Sequence, residues 1–302
     1  MMRPTRPTQA QTRKGVLFLT MGIFCFTAMD ALAKYLVAYY PTAEVVWARF
    51  IGHFVCVALY LGPRFVPSLK TTMPWWHLAR SATQLGATVF FFLSLNYIGL
   101  AEATALAAIA PLLITLGAAL FLGEALGLHR IIGVVAAMVG ALIVTRPGSG
   151  VFTLAALLPM ICAFCYASNM LLTRLVGSRE TPWAAMIYAA AFGMILTTAV
   201  LPFYWQPIAL MDLPAFLALG ATGALAQLFI IRAFSMAEAG ALAPFGYLDM
   251  VFATIWSIAV FASWPDLFTL LGALVIAAAG LYVWWQETRQ ATMASPADAT
   301  HP

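Results

Sequence analysis

The segment Leu100-Ala-Glu-Ala-Thr-Ala-Leu-Ala107 returns 136 residues later as Met236-Ala-Glu-Ala-Gly-Ala-Leu-Ala243. Alanine-rich apolar sequence yields chance matches, but a glutamate at the same place in both copies marks corresponding points of an internal repeat. Further out, Ile132-Gly133 and Gly140-Ala-Leu-Ile-Val144 are echoed by Leu271-Gly272 and Gly280-Leu-Tyr-Val283. The chain around this repeat has 302 residues, 63% hydrophobic and 9% charged, with mean hydropathy +0.93. Soluble domains carry about 25% charged residues, so 15 Lys+Arg and 11 Asp+Glu cannot cover a water-soluble globule of this length. The missing surface faces lipid.

A helical span needs about 20 residues. Apolar stretches bounded by Pro, Gly and charged residues predict ten, at 15–37, 43–62, 75–98, 101–122, 128–146, 151–175, 183–203, 212–235, 237–262 and 267–286. Only Gly99-Leu100 and Met236-Ala237 separate the third from the fourth and the eighth from the ninth; a single helix across either junction would overrun a tilted span. The expected fold is an all-α polytopic membrane protein of ten transmembrane helices in two five-helix repeats, 15–146 and 151–286, with tails at 1–14 and 287–302. Five spans is an odd number, so the second repeat lies inverted relative to the first. That is the architecture of secondary transporters, whose site lies near the midplane between the halves. The first apolar run contains Asp30 and Lys34 and lacks a small-residue cleavage site, which predicts a retained span in place of a cleaved signal peptide.

Charge placement tests this map. Arg3, Arg6, Arg13, Lys14, Arg64, Lys70, Arg130, Arg174, Arg179, Arg232 and Arg289 fall on one side, eleven of the 15 cations, and Arg146 alone falls in an opposite loop. Loops on that opposite side hold Glu44, Glu102, Asp212 and Asp266. The bias places both termini in the cytoplasm of a cell whose inner membrane holds the chain. Trp75, Trp76, Trp183, Trp205, Trp264 and Trp284 stand at span ends, as interfacial belts require. The net charge of +4 is this loop bias and carries no implication of nucleic acid.

With the spans in place, further motifs become informative. Ala-Glu-Ala-Thr-Ala followed by Pro111, the Gly123-Glu124 pair after the fourth span, and Trp264-Pro265-Asp266 before the tenth resemble the EamA branch of the drug/metabolite transporter superfamily. The resemblance covers residues 15 to 288 and implies a bacterial inner-membrane carrier whose spans 1, 3, 4, 6, 8 and 9 line a central cavity. One departure is Ala262-Ser263, where the family often repeats Gly-Glu, so the role of Glu124 is not duplicated. Met29-Asp-Ala-Leu-Ala-Lys-Tyr35 with Val46-Trp-Ala-Arg-Phe50 is similar to the subgroup of riboflavin and S-adenosylmethionine importers. The expected activity is alternating-access transport of a small metabolite, favouring uptake of a planar solute such as riboflavin. The alternatives are proton-antiport export of amino acids, metallophores or drugs, and S-adenosylmethionine exchange.

Ionisable groups within spans are costly and mark functional positions. Asp30 and Lys34 share a helix face, as a substrate or proton site or as an internal ion pair, and Arg49 is a candidate structural partner for Asp30. Asp249, near the middle of the ninth span, is the deepest acid of the second half and is expected to bind substrate or exchange protons. Glu102 and Glu238 occupy equivalent helix starts, as caps or gates. Gln84, Asn169 and Gln227 extend the lining or bridge helices; Asn169 aligns with Asp30 in the repeat. Tyr166 and Tyr247 are available to stack on a planar solute or to pack. Pro111, Pro159 and Pro244 predict bends, static or mobile. Cys162 and Cys165 have a redox or metal spacing but lie in an apolar span with no second pair, which favours packing. No nucleotide loop or zinc-protease helix occurs in the sequence. No cofactor or metal site and no enzyme activity are expected; the expected partners are the bilayer, a small solute and protons, in a monomer or homodimer.

Overall fold

The computed structural model describes residues 9–122, 128–145, 154–176, 181–237 and 242–293, and these fold into helices and turns without a strand. The first half contains α1 (Gln9–Val37), α2 (Thr42–Leu61), a short α3 (Phe65–Ser68), α4 (Pro74–Ser94), α5 (Leu100–Ala107), α6 (Ala110–Leu122) and α7 (Leu128–Thr145). The second half contains α8 (Leu157–Val176), α9 (Pro182–Val200), α10 (Leu213–Met236), α11 (Leu248–Phe261) and α12 (Leu267–Met293). Among the described residues, six helices are long and apolar enough to cross a membrane, and three shorter apolar ones run over Leu100–Ile114, Ile131–Thr145 and Phe245–Phe261. α4 has the length of a span, 21 residues, but carries His77, Arg80 and Gln84.

Local chemistry sets the boundaries. Prolines open α4, α9 and α10 in the first turn, where a missing N–H costs nothing. Thr181 Oγ1 caps α9 by accepting from the Ala184 amide at 3.3 Å. Gly62 closes α2 with a φ of 50° that glycine adopts freely. Both doubtful junctions are real breaks: residues 95–98 turn between α4 and α5, and Ala237 is extended after α10. The sequence expectation needs correction elsewhere. α1 begins at Gln9, within the expected tail, and α12 runs to Met293, because a helix does not stop at the edge of the apolar run. The fourth segment is two helices, broken at Ala108-Ile109. The ninth is broken at the equivalent place by a 3-10 stretch, Ala243–Tyr247. Pro111 and Pro244 therefore stand in the first turns of restarting helices, and Pro159 in the first turn of α8, so none bends a continuous helix.

Packing repeats between the halves. α1 packs on α10 as α8 does on α4; α2 packs on α10 as α9 does on α4; α1 meets α11 as α8 meets α6; and α2 meets α9 while α7 meets α12. Exchanging each first-half helix for its second-half counterpart maps this set onto itself. The two contacts between counterparts are antiparallel. Phe50 lies against Gly193 and Tyr60 stacks on Trp183, while Gly140 faces Gly272 and Gly133 faces Val283. Each of these helices meets its counterpart upside down. Small residues make the approach possible: a Cβ on Gly52 would sit 2.6 Å from Gly220 Cα, and one on Gly272 2.6 Å from Gly140 O. Met29, Leu36, Phe92 and Leu106 fill the centre, whereas Leu59, Phe121 and Leu274 point outward at 66–77% exposure, the apolar coat a bilayer requires.

Candidate substrate cavity

A narrow cavity, with room for about one water-sized body (about 30 Å³), lies where helices of both halves converge. The first half contributes Phe26 from α1, Arg49, Phe50 and His53 from α2, and Arg80 and Gln84 from α4. Met186 and Ala189 of α9 and Gly223 and Gln227 of α10 close the other wall. Met186 and Arg80 lie within two turns of the helix ends where Arg64, Lys70 and Arg232 gather, so the cavity is biased toward this basic end.

Arg49 is fixed. Its guanidinium donates to Thr88 Oγ1 and lies 5.4–5.8 Å from the ring centroids of Phe26, Phe50 and Phe92, a cage that suits a delocalised cation. Thr88 in turn donates to the Gln84 carbonyl at 3.0 Å. Arg49 thus makes no ion pair with Asp30, although the two remain within electrostatic reach. Asp30 is 5% exposed on α1, and Asp249, in the first turn of α11, acts on it across the two halves. The break at 243–247 is what places Asp249 at a helix start in the middle of the ninth segment.

Other nominated residues go elsewhere. Lys34 Nζ donates to the carbonyls of Leu95 and Ile98, closing the end of α4, with Glu102 close enough to act on its charge; no Asp30–Lys34 pair forms among the described residues. Asn169 Nδ2 donates to Arg80 O at 2.7 Å and bridges α8 to α4. Tyr247 packs on α12 over Gly280, outside the cavity. Cys162 and Cys165 are free thiols. Glu238 and Glu124 lie outside the described residues. Of the nominated set, the cavity gathers Arg49, Gln84 and Gln227.

It also gathers two polar residues not nominated, Arg80 and His53. The sequence carried a signal for Arg80, an intramembrane cation one helical turn before Gln84. It carried none for the closure opposite. Tyr40 and Tyr35 donate to the two oxygens of Asp212 at 2.7 and 3.1 Å, and the Ala209 amide donates to Tyr40 Oη at 3.1 Å. The Gln206 amide donates to buried Glu44 at 3.3 Å and Trp47 Nε1 to Thr198 at 3.0 Å. These bonds tie the α1–α2 corner to the α9–α10 loop at the acidic end.

Comparison with known proteins addresses the family. Residues 13–146 and 153–285 each match the EamA-like transporter family. The chain belongs to the EamA-like transporter family. It is 25% identical over 275 residues to an S-adenosylmethionine uptake transporter of Rickettsia felis, covering 91% of this chain and 94% of the relative. It is 28% identical over 272 residues to a pseudopaline exporter of Pseudomonas aeruginosa (88% and 94%), and 26% over 285 to a riboflavin transporter of Vibrio cholerae (92% and 95%). A solved crystal structure superposes with a TM-score of 0.67 at 17% identity, over 95% of this chain and 99% of its own; that likeness speaks to fold alone. The EamA-like protein is a multi-pass membrane protein whose relatives are named as transporters, in keeping with the superfamily and subgroup its motifs resemble.

Proposed function

We propose that this protein is a proton-coupled secondary carrier for a small metabolite, working by alternating access between two inverted five-helix repeats, 15–146 and 151–286, that together cross the bacterial inner membrane ten times. The observation that carries it is that Asp249 of one half acts electrostatically on buried Asp30 of the other, with Arg49 of the cavity wall also within electrostatic reach of Asp30. Two carboxylates and one guanidinium are electrically neutral when one carboxyl holds a proton, and neutrality is what a low-dielectric site favours. The positive-inside bias puts the basic end in the cytoplasm; the form described is then closed outside by Tyr35, Tyr40 and Asp212 and has its cavity nearer the cytoplasm. Lys34, Glu102, Pro111 and Pro244 belong in this reading to the moving helix ends.

One relative is named for uptake and another for export, so direction is read from vesicles. A planar solute such as riboflavin fits the motif resemblance, but Tyr247 packs elsewhere, and the cavity's own chemistry is the better guide. In reconstituted vesicles, Asp249→Asn should abolish flux driven by a proton gradient while leaving insertion and gradient-free exchange of labelled solute intact. Asp30→Asn should do the same. Full gradient-driven activity in both variants would remove the acid pair from the mechanism, and no flux of any solute from a broad labelled panel would sink the carrier.

A further inference from the structure

We propose that the cavity recognises an oxyanion, a carboxylate or phosphate group on the transported metabolite, through Arg80. This rests on the carrier reading and adds the class of solute. The cavity wall carries two guanidiniums, an imidazole and two carboxamides, and no carboxylate among its lining residues. The two arginines differ in circumstance. Arg49 is held by Thr88 and three rings and has Asp30 within reach. Arg80 has neither: no hydrogen bond from its guanidinium and no carboxylate acting on it are found among the described residues, although its backbone carbonyl is anchored by Asn169. A guanidinium taken largely out of water without a counter-ion is unfavourable unless an anion completes the site. Its planar fork matches the geometry of a carboxylate or phosphate.

Other groups point to the same ligand. His53 Nε2 is buried and without a partner, and His53 lines the cavity facing the same space; buried polar atoms are ordinarily paired. Gln84 lies one helical turn from Arg80, and Gln227 reaches in from the opposite half, so a solute held by Arg80 is touched by both repeats. Phe26 offers an apolar wall for the rest of the molecule.

The test uses the full chain in nanodiscs, with thermal unfolding against a panel of amino acids, dicarboxylates, 2-oxo acids and sugar phosphates, each beside its neutral amide or dephosphorylated counterpart. At least one anion should stabilise the protein where its neutral counterpart does not, and the carboxylate and phosphate arms separate the two chemistries. Arg80→Gln should weaken that binding by about tenfold to a hundredfold, and Arg80→Lys should recover part of it. Gln227→Leu, on the opposite wall, should weaken it by less and serves if Arg80→Gln is poorly folded. Binding confined to neutral or cationic solutes, an anion affinity unchanged in Arg80→Gln, or no response to any anion would each overturn the proposal. Equal loss for anions and neutral counterparts would also overturn it, assigning Arg80 to holding the cavity wall in shape. Gradient-driven flux of a neutral solute that is indifferent to Arg80 would overturn this inference while leaving the carrier intact.

Discussion

At Ala262 the backbone takes a φ of 48° and a ψ of 25°, the left-handed conformation that ends α11. The turn is secured by the Ser263 amide donating to Ser257 O at 3.1 Å and Ser257 Oγ donating to Ser263 O at 3.0 Å. An alanine there is strained by its methyl group, and glycine is the residue this cap ordinarily takes. The Ala262-Ser263 departure from the family's Gly-Glu pattern thus has a physical cost. Ala262→Gly is expected to stabilise the protein by about 1 kcal/mol, read as a higher unfolding midpoint in detergent with transport unchanged; an unchanged or lowered midpoint would contradict it. Residue chemistry was also where sequence reading reached its limit. Arg49 and Gln84 were visible as buried polar groups, yet the aromatic cage that turns Arg49 from Asp30 toward Thr88 draws on α1, α2 and α4 together, which no local pattern encodes.

Among the elements, the broken fourth segment is the most informative. Pro111 lacks an N–H and its ring would meet the Ala107 carbonyl in a continuous helix, so α5 ends and α6 begins there. Pro111→Ala removes that obstacle. The amides around Ala108 and Ile109 should then exchange hydrogen more slowly as the two helices join, and turnover should fall several-fold if the break is needed for movement. Faster or equal exchange would show that packing, not proline, holds the break open. The all-helical, membrane-spanning class and the helix separations at Gly99 and Met236 were legible because apolar length and intervening polar residues decide them. The break was not, because a proline signals an interruption without saying whether the chain bends or starts a new helix.

For the whole molecule, the closure at the acidic end joins residues as far apart as Tyr35 and Asp212. Asp212→Ala removes the acceptor of both tyrosines and should raise the outward-open population several-fold. A membrane-impermeant maleimide reading a cysteine placed at Gln84, in a chain stripped of its native cysteines, should label faster from the acidic side. Unchanged labelling would show that other contacts carry the closure. The inverted repeat was legible from the paired Ala-Glu-Ala segments and the charge bias; this long-range pairing had no counterpart in the sequence.

Near the cavity wall formed by Gly223, α2 and α10 touch at Gly52 and Gly220, backbone against backbone. A contact without side chains has no rotamers to rearrange and no knobs to lift out of holes. In the proposed carrier cycle such a joint would act as a bearing, over which the two halves roll while the walls on either side spread or close.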